Sequence, residues 1–80
     1  MSPALQRFTR CKITMYADDH GVPHFHVVGP DFDLVVEIGT GKVLEGGARR
    51  ADVEAALAWA EAHVAELQAE WERLNRRSES

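Results

Sequence analysis

The sequence has one cysteine, Cys11, and therefore no internal disulfide. It lacks any run of about 18 apolar residues able to span a bilayer, and it has no apolar, signal-like stretch near its start. These absences predict a cytoplasmic protein with no membrane contact. Aromatic residues make up only 8% of the chain. Positive charge is also scarce where a duplex would need it. Residues 1–50 carry six Lys/Arg against six acids, and the remainder carries three Arg against seven acids, so the whole net charge of −4 falls in the C-terminal part. That argues against a phosphate-gripping surface for duplex DNA, while the neutral first part still has room for a small RNA site. Glycine and proline are absent from residue 48 onward, so no helix breaker lies there. What is present, 80 residues at 45% hydrophobic and 28% charged, is the composition of one small globular domain.

Hydrophobic patterning divides the chain in two. From Phe8 to Tyr16 the residues alternate, with Cys11, Ile13 and Met15 on one side and Lys12, Thr14 and Tyr16 on the other, the period of a half-buried strand. Asp18-Asp19-His20-Gly21-Val22-Pro23 supplies turn chemistry. His24 to Val28 alternates again, Gly29-Pro30-Asp31 reverses the chain, and Phe32 to Ile38 forms a third strand. Gly39-Thr40-Gly41 leads into a short extended piece, Lys42 to Glu45. The Gly39-Thr40-Gly41-Lys42 run lacks the preceding glycine of a phosphate-binding loop and opens no helix, so it reads as a turn.

After Gly46-Gly47 the period becomes helical. Val53, Ala56, Leu57, Ala60, Val64, Leu67, Trp71 and Leu74 recur at three- and four-residue spacing. Asp52 and Glu54 near the start, with Arg73, Arg76 and Arg77 near the end, suit the helix dipole, and Glu72 and Arg76 form an i,i+4 pair. The pattern predicts one helix of about 27 residues, roughly 40 Å long, whose last turns overhang the domain. The expected fold is α+β: a three- to four-stranded antiparallel meander with one long C-terminal helix packed on one sheet face. Residues 1–77 form a single domain in this reading, and 78–80 a frayed end.

Packing the apolar sheet face on the helix leaves Lys12, Thr14, Tyr16, His24, His26, Asp33, Val35 and Glu37 on a polar face with no covering element. A two-residue Pro30-Asp31 loop places His24 opposite Glu37, and a longer loop places His26 opposite Asp33. Three of the four histidines fall in seven residues, His20-x3-His24-x-His26. His24 and His26 project from the same side of their strand about 6.5–7 Å apart at Cα, which allows both to reach a zinc or other transition-metal ion with His20 or an Asp completing the shell. A second reading makes His24 or His26 a general acid–base group for metal-free RNA cleavage. A third has the imidazoles hydrogen-bonding Thr14, Tyr16 or the carboxylates and pinning a turn.

The helix offers contact residues of its own. Ala55, Ala58, Ala62, Ala65 and Ala69 form a smooth stripe opposite the core stripe, suited either to self-association or simply to helix propensity. Trp59 and His63, at i,i+4, together with Tyr16 and the overhanging Trp71 and Leu74, are candidate partner-binding residues.

The residues YADDHGVPHFHV, followed by EIGTGKVLEG, an Arg-Arg pair and ALAWAEAHVAELQAEW, resemble the small bacterial family known as domain of unknown function 4160, from about Arg10 to Leu74. Val22 stands where the family pattern has the first of two prolines, and the histidines keep their places. The resemblance implies a short α+β protein whose gene often lies beside that of another small uncharacterised family, as in toxin–antitoxin pairs, and hence a protein partner. The strands, strand histidines and terminal helix are also similar to small RNA-cleaving toxins with a double-stranded-RNA-binding-like fold, without that fold's first helix.

Overall fold

The computed structural model describes residues 5–16 and 21–75. Asp18, Asp19 and His20 of the expected turn, Arg76 and Arg77, and the expected frayed end at 78–80 lie outside the described residues. The architecture is α+β. An antiparallel sheet is formed by β1 (Gln6–Arg7), β2 (Lys12–Thr14), β3 (His24–Val28), β4 (Asp33–Glu37) and β5 (Val43–Glu45), with strand order equal to chain order. Two helices follow, α1 (Arg50–Ala62) and α2 (Val64–Asn75).

Among the described residues the sheet has five strands where the sequence pattern predicts three to four. β1 has only two residues, both exposed, too few for an alternation to register. It pairs with β2 through a tight reversal in which the Phe8 N–H donates to the Cys11 carbonyl at 2.7 Å. That turn removes Phe8 to Cys11 from the expected first strand and shortens it to Lys12–Thr14. β3 spans the five residues of its alternating pattern. The β3–β4 reversal takes the shorter of the two expected forms. The Gly29 N–H donates to the Phe32 carbonyl at 2.9 Å, and His24 lies opposite Glu37. Pairing of β4 with β5 shifts between Val35 and Val36, which face Glu45 and Val43, so Leu44 is absorbed in a bulge.

The expected single helix is two helices, and the sequence supplies the reason in a side chain. His63 Nδ1–H donates to the Trp59 carbonyl at 2.7 Å, the acceptor that the His63 backbone N–H would use in a continuous helix. That N–H turns instead to the Ala60 carbonyl at 3.1 Å, and His63 leaves helical geometry at φ −125°, ψ 32°. Local side-chain competition for a backbone acceptor thus interrupts a segment that has no glycine or proline. The indole of Trp59 stacks on the His63 ring at 4.1 Å, and the Phe8 ring meets Trp59 edge-on at 6.4 Å. Both residues are part of the packing. The alanine stripe is exposed and is divided between the two helices. On α2, Arg73 donates to Glu70 at 3.1 Å and holds that carboxyl below the usual range through the hydrogen bond.

One core joins sheet and helices. Ile13, Phe25, Val27 and Val36 from the sheet meet Val53, Ala56, Ala60 and Leu67 from the helices, all buried. Full burial of a side chain such as Phe25 contributes about 2–3 kcal/mol. Cys11 is buried beside this cluster. Burial pushes its thiol above the usual value, and the Asp52 charge adds to the shift, so Cys11 behaves as a small hydrophobe.

The chain leaves β5 through Gly46 at φ +87°, where a Cβ would stand 2.3 Å from the Asp33 carbonyl oxygen. Gly41 has φ +74° with nothing within 4 Å of a Cβ. Gly46→Ala is expected to lower the unfolding free energy by about 2–3 kcal/mol, roughly 10–20 °C in Tm. Gly41→Ala should lose only about 1 kcal/mol. Thermal unfolding followed by circular dichroism measures both, and equal losses would show that the Asp33 contact plays no part.

Candidate functional site

Period-two geometry on β3 sends His24 and His26 to the same side of the sheet, and their ring centroids lie 5.5 Å apart. The His24 Nδ1–H donates to the Val22 carbonyl at 2.8 Å. A carbonyl only accepts, so the proton of this contact sits on Nδ1. His26 Nδ1 lies 3.2 Å from Asp33 Oδ1. Asp33 is diagonal to His26 across the β3–β4 pair, since its direct partner is Val28. The one register therefore brings His24 opposite Glu37 and also lets His26 reach Asp33. The Tyr16 ring meets the His26 ring edge-on at 4.7 Å, and Thr14 is the direct cross-strand partner of His26.

This face is not open along its whole length, contrary to what the pattern predicts. His24 is 9% exposed and Thr14 1% exposed. The Thr14 hydroxyl has no hydrogen-bond partner among the described residues, where burial of such a group costs about 1–3 kcal/mol. Part of the cover is Trp71. Leu67 is anchored in the main core, and Trp71, four residues on, brings its ring to within 4.9 Å of the His24 ring. Leu74 packs against the core as well. The two residues expected to overhang as partner anchors are thus half-buried and turned toward the domain.

Tyr16, His24, His26 and Trp71 therefore form one cluster with Asp33, while Trp59 and His63 are stacked elsewhere, at the helix break. His20, the expected third metal ligand, lies outside the described residues. Among the described residues no group of three or more His, Cys, Asp or Glu side chains is placed to hold a metal ion. The His26–Asp33 contact gives one imidazole a carboxylate that fixes its orientation, as general acid–base chemistry needs.

A second surface was not singled out by the sequence. On β5, Val43 is 42% and Leu44 40% exposed, at the edge of the sheet. No periodic signal marks them, because the strand is short and bulged. Its position beyond β4, at the end of the sheet, is a tertiary fact.

A protein-family model described as a domain of unknown function (DUF4160) matches residues 11–72. No curated protein and no solved structure matches the chain. No helix among the described residues is long and apolar enough to cross a membrane.

The placement of Trp71 has a direct test. Trp71→Ala is expected to destabilise the protein by about 2–3 kcal/mol in denaturant unfolding, while Trp71→Phe, which keeps a ring on His24, should lose less than about 1.5 kcal/mol. A solvent-facing anchor would give values within about 0.5 kcal/mol of zero for both.

Proposed function

The chain belongs to the DUF4160 family, and we propose that it is a small protein-binding module, one component of a toxin–antitoxin-like two-gene unit, which engages its partner on the β5 side of the sheet. The observation that carries this reading is the contrast between the sheet's two edges. β1 shows Gln6 and Arg7 to water, a short polar edge of the kind that discourages association. β5 shows Val43 and Leu44, each about two-fifths exposed, on an edge with main-chain groups able to accept another chain. Apolar residues grouped at an edge mark an interaction surface more often than scattered ones do. The occupant in this reading is the protein encoded by the adjacent gene.

The test is co-expression with that neighbour. The two proteins are expected to co-purify as a stable complex, and Val43→Lys combined with Leu44→Lys should weaken it about a hundredfold or more with a similar thermal midpoint. Failure of the wild-type chain to form any complex with its neighbour, measured by calorimetry on the purified pair, overturns the reading.

One observation favours a second reading, metal-independent RNA cleavage: the 3.2 Å contact between His26 Nδ1 and Asp33. His26 would exchange the proton of the attacking or leaving oxygen, and Asp33 would hold the ring in place. His24, under Trp71 and bonded to the Val22 carbonyl, would support the ring beside it. Induced expression in a bacterial host with total RNA followed over time tests this. RNA degraded by wild type and spared by His26→Ala, with roughly a hundredfold or greater loss of rate, supports it. Equal degradation by both overturns it.

A further inference from the structure

A groove of about 360 Å³ opens between α1 and the β4–β5 turn, within the range of about 300–1,000 Å³ in which proteins bind ligands and side chains. Its floor is core: Phe25, Val36, Ile38, Leu57, Val64 and Leu67. The rim on α1 is acidic, with Glu54 and Glu61 against a single cation, Arg50. Glu54, Leu57, Ala58 and Glu61 follow one another at three- and four-residue spacing. They form a second stripe on α1 beside the one already packed on the sheet, with an acid one turn either side of Leu57.

The groove follows from a mismatch of widths. Five strands about 4.8 Å apart span roughly 19 Å between the outer two, and one helix is about 10 Å across. α2 continues the chain from the end of α1 at His63, so the helical layer is a single row at that point. Next to Val36 of the floor, its cross-strand partner Val43 is 42% exposed.

We infer that this groove receives an amphipathic, basic helix of the partner protein, laid beside α1 with its apolar side chains on Leu57, Val64 and Val43 and its Lys or Arg residues against Glu54 and Glu61. The inference rests on the protein-binding reading and gives the partner its chemistry. The charge pattern selects the occupant. A second copy of this chain would bring like charge to the rim, because residues 51–80 hold seven acids against three Arg, whereas a basic helix is steered toward it.

The experiment uses the full chain, isotope-labelled, titrated with two short helical peptides of identical leucine spacing, one flanked by lysines and the other by glutamates. The lysine peptide is expected to shift the amides of Gly39 to Gly41 and Glu54 to Glu61, and the glutamate peptide to leave them unmoved. Glu54→Lys with Glu61→Lys, both exposed positions, should weaken the lysine peptide roughly tenfold or more. Glu72→Lys, exposed on α2 and away from the groove, should not. Equal binding of both peptides, shifts on the histidine face instead, or no binding overturns the groove assignment. The same charge reversal applied to the complex with the neighbouring gene's product separates the two ideas. A complex that forms and is indifferent to it removes the groove and leaves the binding module. A groove that takes the lysine peptide in a chain forming no complex with its neighbour removes the two-gene reading and leaves the groove. Dimerisation that Glu54→Lys strengthens would make the occupant a second copy and overturn the inference.

Discussion

The two-residue reversal between β3 and β4 is the constraint on which the remaining structure depends. The hydrogen bond from the Gly29 N–H to the Phe32 carbonyl sets His24 opposite Glu37 and Phe25 opposite Val36. A slip of one residue would turn Phe25 and Val27 out of the core and His24 and His26 into it. The turn therefore decides the apolar face and the histidine face together. Gly29 is part of the lock, because a Cβ there would stand 2.3 Å from the Phe32 ring. Phe32 in turn packs against the core, so the turn is held by the sheet it creates.

On that frame both helices pack on the apolar face, and α2 also reaches the histidine cluster. α1 lies on the apolar face through small residues, Ala56 and Ala60, which allow close approach and leave the β5 side uncovered. α2 is anchored by Leu67 and carries Trp71 to His24. The histidine cluster is thus partly a packing feature: one ring lies under an indole, and the other is bonded to a carboxylate and met by a tyrosine edge. Burial of His24 and Thr14 removes much of the polar surface that makes such a face look like an open active site, and exposed apolar side chains lie both beside it, at Val22, and on β5, at Val43 and Leu44.

Much of this is legible in the sequence. Period-two alternation placed His24–Val28 with its boundaries, put Ile13, Phe25, Val27, Leu34 and Val36 in the core, and set His24 and His26 on one face. The helical stripe identified Val53, Ala56, Ala60 and Leu67. The failures have physical causes. β1 is too short for a period to exist. The break at His63 depends on one imidazole reaching one carbonyl, and the hydrophobic spacing runs through it undisturbed. Trp71 meets His24 across most of the chain, and no local spacing links the two. Val43 and Leu44 were visible as a weak strand, but their exposure depends on how many strands a single row of helix can cover. Local periodicity reports which side of an element is apolar, and only the assembled layers show whether that side has been covered.

The sheet's strand order, identical to its chain order, bears on how the molecule forms. Every strand pairs with its neighbour in sequence, so each reversal closes a short loop and no pairing waits on a distant partner, which favours rapid assembly for a sheet. The helices follow all five strands in the chain. The apolar face of the sheet, with Phe25, Val27 and Val36, is therefore closed by residues that come last in the chain, Val53, Ala56 and Leu67.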